Sequence, residues 1–154
     1  KILEQNNIKV VMTRNTDAGL YSEGTTNKKA EDMQKRCKII EDSNALFTVS
    51  IHQNSYQDSE VYGPQVFYYE DSAQGKELAE LIQKELNTGL EVARPRVAKG
   101  NKTYYLLKRS ESVLNIVECG FLTNPKEAEL LQTEEYQKKV AEAVAKGIDA
   151  YLKE

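Results

Sequence analysis

Val-Leu-Asn-Ile-Val at residues 113–117 and Leu-Phe-Thr-Val-Ser-Ile at residues 46–51 are two strongly apolar runs with the length and β-branched content of strands. Near-continuous apolar character is typical of strands that are buried on both faces of a parallel sheet. Strand-like and helix-like segments alternate along the chain, so we predict an α/β fold with a twisted, largely parallel sheet and helices on both faces.

The remaining elements are predicted from capping and turn residues. Helices are expected over Lys29–Asp42, from a Ser72 cap to about Thr88, after Asn124-Pro125, and from Thr133 onward. Further strands are expected over Ile8–Thr13 and Gln65–Tyr69, with Tyr104–Leu107 as an edge strand or a turn. Polar loops fill residues 14–28 and 91–103.

Length and charge restrict the class of protein. The 154 residues fit one domain, 1–154, and its first seven residues resemble the end of a helix that lacks a start signal. We therefore expect the natural chain to begin upstream, so that this domain is N-terminally incomplete. The net charge is -3 without a basic stripe, which argues against nucleic acid as a partner. Cys37 and Cys119 are interpreted as small buried hydrophobic residues rather than a disulfide framework.

Two polar residues follow the apolar runs directly: His52 after the first and Glu118 after the second. If both strands run parallel, their carboxyl ends meet at the edge where open α/β sheets bind ligands. Taken singly, His52 could be a hydrogen-bonded structural residue and Glu118 the partner of a lysine. A zinc hydrolase uses both types, imidazole as ligand and carboxylate as base, but one histidine cannot hold zinc alone.

The segments around these residues resemble the zinc amidases of the amidase-3 family. Residues 50–55, Ser-Ile-His-Gln-Asn-Ser, are similar to its S-I-H-x-N-[AS] segment, and residues 118–124 are similar to its E-x-G-F-[LI]-[ST]-N motif. Thr13-Arg14 and Asp17 match its T-R-x-x-D pattern. A subgroup resemblance to germination-specific, spore-cortex amidases rests on four further segments: residues 29–32, 63–69, 96–99 and 105–108.

By this resemblance, His52 corresponds to a zinc (Zn²⁺) ligand and Glu118 to the catalytic glutamate. Asn54 and Arg96 are candidate substrate-binding residues, with a solvated loop cation as the alternative reading of Arg96. Tyr104 and Tyr105 could line the groove, although packing is the preferred reading. The family's other zinc ligands are a histidine in a G-H-G-G loop and a glutamate near the first helix. This chain has neither, nor the family's first strand, so a missing N-terminal segment is expected to supply them.

The resemblance implies an N-acetylmuramoyl-L-alanine amidase that acts on peptidoglycan, a glycan strand with peptide stems, in the spore cortex during germination. Its location would be extracytoplasmic, in the cell wall or spore envelope. An activating protein partner could assist zinc loading at such an open site. The alternative is a non-catalytic wall-binding module on the same fold. An ordinary zinc peptidase is weaker, because such enzymes normally offer a two-histidine helical motif.

Overall fold

A four-stranded sheet forms the centre of the computed structural model, which describes residues 1–153. Its strands are β1 (Phe47–Asn54), β2 (Gln65–Tyr69), β3 (Lys99–Asn101) and β4 (Val113–Phe121), in the order β1-β4-β2-β3. β1 pairs with β4 and β2 with β3 in parallel, whereas β2 and β4 are antiparallel. The connection over residues 55–64 contains no helix, and parallel crossovers usually need one, so β2 runs opposite to β1.

Six helices lie within the described residues: α1 (Ile2–Gln5), α2 (Lys28–Ser43), α3 (Ala73–Gly89), α4 (Tyr105–Arg109), α5 (Pro125–Leu130) and α6 (Glu134–Tyr151). The four predicted helices are confirmed, and each begins at a side-chain cap. Asn27, Ser72, Asn124 and Thr133 accept hydrogen bonds from backbone N–H groups of the first helical turn. None of the helices in residues 1–153 has the length and apolar character that crossing a bilayer demands.

Two hydrophobic cores place helices on both faces of the sheet, which confirms the predicted α/β class. The first core joins Val66 and Val117 of the sheet to α3 and α6. Within it, a Cβ atom on Gly147 would lie 2.6 Å from the Cα atom of Ile82, so the two helices approach backbone to backbone. The second core joins Phe67, Leu114 and other sheet residues to α2 and α4.

A buried glutamine anchors the start of β2. The Gln83 side chain of α3 accepts a hydrogen bond from Val66 N (2.8 Å) and donates one to Pro64 O (3.2 Å). It thereby satisfies backbone groups that have no strand partner at this point, which is the usual requirement for burial. Asn87, one turn later, donates to the backbone oxygen of Arg96 (2.7 Å).

Three sequence expectations differ from the structure. Residues 8–13 form no strand, because none of the described strands pairs with them, and Val11 and Met12 are exposed. Residues 105–109 form a helix, not an edge strand or turn, and bury Leu106 and Leu107. β1 and β4 both continue past the predicted ends, so His52 and Glu118 lie within strands rather than after them.

Candidate active site

The structure brings His52 and Glu118 together through strand register. They are direct partners in the parallel pairing of β1 with β4. Paired residues on neighbouring strands point to the same face of the sheet. Leu114 and Ile116 lie four and two residues before Glu118 on β4, so they share its face, and they pack against α2 and α4. The face that carries His52 and Glu118 is therefore the one that α2 and α4 cover. An imidazole and a carboxyl group therefore lie side by side near the carboxyl ends of two adjacent strands.

Glu118 is a buried carboxyl group, and one of its oxygen atoms lacks a hydrogen-bond partner among residues 1–153. The residue is 8% exposed, and its Oε2 atom is buried with no hydrogen bond in the described part of the chain. Burial raises the pKa of Glu118 from 4.5 to about 6. Burial also raises the pKa of the Tyr104 phenol, and the charge of Glu118 raises it further. The carboxylate is thus poorly solvated, which is typical of a proton acceptor in a catalytic site.

His52 is half-buried and oriented by a neighbour on its own strand. The Ser50 Oγ atom lies 2.8 Å from His52 Nε2, two residues back and on the same face. Burial, followed by the positive charge of Arg36 on α2, holds the pKa of His52 below its usual value. Arg36 is itself paired with Asp32 at 2.6 Å. These effects favour the neutral imidazole, which is the form that binds a metal ion.

Asn54 and Arg96, the two candidate substrate-binding residues, meet at Phe121 near the end of β4. Asn54 is the register partner of Phe121, after a bulge that follows His52. The Arg96 guanidinium carbon lies 5.3 Å from the centre of the Phe121 ring. Its Nε and Nη2 atoms donate to Tyr62 O at 3.1 and 2.9 Å. Phe121, the residue that both candidates approach, lies three residues after Glu118 along β4.

The segment over residues 55–63 is hydrogen-bonded to the connection between β4 and α5. Tyr56 N donates to Thr123 Oγ1 (3.0 Å), and Asn124 Nδ2 donates to Ser59 O (2.9 Å). An open depression of about 580 Å³ lies here, lined by Ser55, Tyr56, Gln57 and Thr123. It adjoins Asn54, whose backbone oxygen accepts from Leu122 N (2.8 Å). The E-x-G-F-L-T-N motif thus carries the site carboxylate and also the anchors for this segment.

Glu127, which the sequence motifs did not indicate, is together with Glu118 one of the two buried charged residues in the described chain. It is 8% exposed and accepts hydrogen bonds from Gly63 N (2.9 Å) and Phe121 N (2.7 Å). Its position three residues after the Asn124 cap is a capping-box position, which was the available signal. Here the side chain reaches past the cap to the end of β4 instead.

These residues fit part of a zinc site. His52 offers a neutral nitrogen ligand and Glu118 an uncompensated buried carboxylate beside it. Zinc requires at least three protein ligands, and residues 1–153 contain no cluster of three or more His, Cys, Asp or Glu side chains that could hold a metal ion. The described residues therefore offer one candidate zinc ligand and one candidate base, and the roles of His52, Glu118, Asn54 and Arg96 stay predictions.

Comparison with known proteins gives consistent matches over almost the whole chain. The family model described as N-acetylmuramoyl-L-alanine amidase, Amidase_3, matches residues 1–150. The germination-specific N-acetylmuramoyl-L-alanine amidase of Bacillus subtilis is 39% identical over 99% of this chain and 65% of its own length. Protein YqiI of the same organism is 33% identical over 77% of this chain and 57% of its own. The chain thus spans less than two thirds of these relatives.

Solved structures agree with this result. The CwlD amidase of Clostridioides difficile, in complex with the GerS lipoprotein, superimposes with a TM-score of 0.94 at 40% identity, covering 99% of this chain and 79% of that one. Amidase AmiC2 of Nostoc punctiforme gives a TM-score of 0.81 at 33% identity, covering 99% and 77%. Sequence motifs, fold and site geometry therefore lead to one conclusion: this chain belongs to the Amidase_3 family of N-acetylmuramoyl-L-alanine amidases.

Proposed function

We propose that the protein containing this chain is a zinc-dependent hydrolase that cleaves the amide bond between N-acetylmuramic acid and L-alanine in peptidoglycan. The observation that carries the proposal is the register pairing of His52 with Glu118, whose Oε2 atom is buried and unpartnered within the described residues. An imidazole beside a desolvated carboxylate is the combination that metal-assisted hydrolysis uses. Family membership supports the choice of bond.

The zinc ion would be held by His52 together with ligands that residues 1–153 do not supply. β1 lies at the edge of the sheet, and its Ile51 side chain is 59% exposed. An exposed apolar edge strand is a place where further chain can pair. Zinc, when bound, polarises the scissile carbonyl and activates water for attack.

Within this chain, Glu118 is the proton-transfer residue. It accepts a proton from the attacking water and returns it to the amine nitrogen as the C–N bond breaks. Because its pKa is raised to about 6, Glu118 is ionised at neutral pH and still basic enough to take the proton. Ser50 fixes the imidazole orientation, as partners of metal-bound histidines commonly do. Asn54 and Arg96 are proposed to bind the substrate near the end of β4.

The test uses full-length protein and purified muropeptides, with released L-alanine amino groups measured. Glu118→Gln is expected to lower kcat at least about a hundredfold, the contribution typical of a general base, while zinc content stays unchanged. His52→Ala is expected to lose zinc as well as activity. Glu129→Gln, an exposed glutamate on α5, is the matched control. Wild-type turnover in Glu118→Gln would refute the assignment.

The biological setting is proposed from the relatives. The B. subtilis relative is named as germination-specific, so we propose spore-cortex peptidoglycan as substrate and an extracytoplasmic location in the cell wall or spore envelope. The C. difficile neighbour was solved with a lipoprotein, and we propose a protein partner here too. Digesting cortex and vegetative peptidoglycan side by side tests the first point, since equal rates on both would contradict it.

A non-catalytic wall-binding module remains the second candidate, because residues 1–153 alone provide an incomplete set of metal ligands. The same experiment separates the two functions. Full-length protein that contains no zinc, binds peptidoglycan and releases no L-alanine amino groups would support the binding module.

A further inference from the structure

We infer that Glu127 is a positioning residue that fixes Arg96 in the substrate site by holding the single peptide group between Tyr62 and Gly63. The inference rests on the proposed function, because Arg96 is proposed there as a substrate contact. Glu127 belongs to α5 and is buried, although its carboxylate takes no part in the proposed hydrolysis.

The first contact lies on the peptide group itself. Gly63 N donates to Glu127 Oε1 (2.9 Å), while Tyr62 O accepts from two nitrogen atoms of Arg96. The Tyr62 C=O and the Gly63 N–H belong to the same peptide group, which is planar. Any rotation that releases Glu127 therefore turns the carbonyl away from Arg96. The carboxylate also polarises this peptide group, which strengthens its oxygen as an acceptor for the guanidinium group.

The second contact holds the other support of Arg96. Phe121 N donates to Glu127 Oε2 (2.7 Å), and the Phe121 ring lies under the Arg96 guanidinium at 5.3 Å. Gly120 leaves room for this arrangement, because a Cβ atom there would lie 3.3 Å from the Glu127 carboxyl group. One buried carboxylate thus binds both the peptide group whose carbonyl accepts from Arg96 and the backbone of the residue whose ring lies under Arg96.

Gly63 is suited to this geometry. Its φ of 95° lies in the left-handed region, where glycine is favoured, and the peptide before it can therefore face both Glu127 and Arg96. Asn87 holds the backbone of Arg96, because its Nδ2 atom donates to the Arg96 oxygen. The guanidinium group is consequently placed by the Tyr62 oxygen and the Phe121 ring, and Glu127 binds a backbone N–H group next to each of these contacts.

The test is a double-mutant cycle in full-length protein with Glu127→Gln, Arg96→Ala and the pair. Glutamine has one acceptor oxygen, so one of the two backbone N–H groups loses its partner. We expect Glu127→Gln to raise the KM for muropeptide about tenfold, with kcat changed much less, and to have almost no further effect on KM in the Arg96→Ala background. Glu129→Gln and Arg94→Ala, both at exposed positions, are matched controls. If the effects of Glu127→Gln and Arg96→Ala on KM were additive in the double variant, the inference would be overturned, because a purely structural role of Glu127 would not depend on Arg96.

A second readout does not require activity. In nuclear magnetic resonance spectra, Glu127→Gln is expected to move the Arg96 Nε–H resonance, whereas Glu129→Gln leaves it in place. Should Glu127→Gln fail to fold, Arg96→Ala is used, and the Gly63 N–H resonance is expected to shift because the coupling is reciprocal. An unmoved resonance in the folded variant would overturn the inference, whether or not the wild-type protein cleaves muropeptides. Absence of muropeptide cleavage by the wild-type protein would instead refute the proposed hydrolase function.

Discussion

Replacing Glu118 by glutamine should stabilise the fold at neutral pH while it removes activity. Burial raises the pKa of this carboxyl group to about 6 from an ordinary 4.5. Because the folded state binds the proton more tightly than the unfolded state, ionised Glu118 opposes folding. The cost is fully present above the folded-state pKa of about 6 and disappears below 4.5, as both states become protonated. At 1.36 kcal/mol per pKa unit, it amounts to about 2 kcal/mol.

Glutamine keeps the shape and removes the charge, so the gain should depend on pH. We expect zinc-free Glu118→Gln protein to be more stable than wild type by about 2 kcal/mol near neutral pH, and by close to zero near pH 4. Urea unfolding at both pH values, followed by far-ultraviolet circular dichroism, measures the difference. Glu129→Gln, at an exposed position on α5, is the control variant measured under the same conditions. A Glu118→Gln protein that is less stable than wild type at neutral pH would refute the reasoning.

Three further changes test the packing described above, each by thermal unfolding. Gly147→Ala should destabilise the fold by about 3 kcal/mol, because the new Cβ atom would lie 2.6 Å from the backbone of Ile82. Gly89→Ala should destabilise the fold less, because its new Cβ atom would lie 3.4 Å from the Cβ atom of Ala143. Ser72→Ala should lose about 1 kcal/mol with the cap of α3, and an unchanged melting temperature would contradict this role. Gln83→Leu should cost at least about 2 kcal/mol, since Val66 N and Pro64 O would both lose their partner; Gln132→Leu, at an exposed position, serves as its comparison.

The sequence predicted elements wherever local chemistry determines them. The apolar runs at 46–51 and 113–117 became β1 and β4, and the caps Ser72, Asn124 and Thr133 began helices as expected. The placement of His52 and Glu118 at one end of the sheet followed from the parallel direction of their strands.

The remaining features depend on distant partners. β3 is Lys99–Asn101, a polar segment without strand character that pairs only because β2 lies beside it. Residues 8–12 have β-rich composition but no partner strand in the described chain. Glu127 drew no prediction from the sequence, because its contacts with Gly63 and Phe121 arise from the tertiary fold. Local patterns cannot indicate such contacts, because they join segments far apart in sequence.

The pairing of β1 with β4 also has a kinetic consequence. Between these strands the chain forms β2, α3, β3 and α4, so closing their ladder requires a large loop to lose its conformational freedom. Contacts of such long sequence separation slow folding and are expected to form late. The imidazole and the carboxylate would then become neighbours only when most of the domain has assembled, and a nascent chain that has not yet emerged beyond β4 would not hold the two groups together.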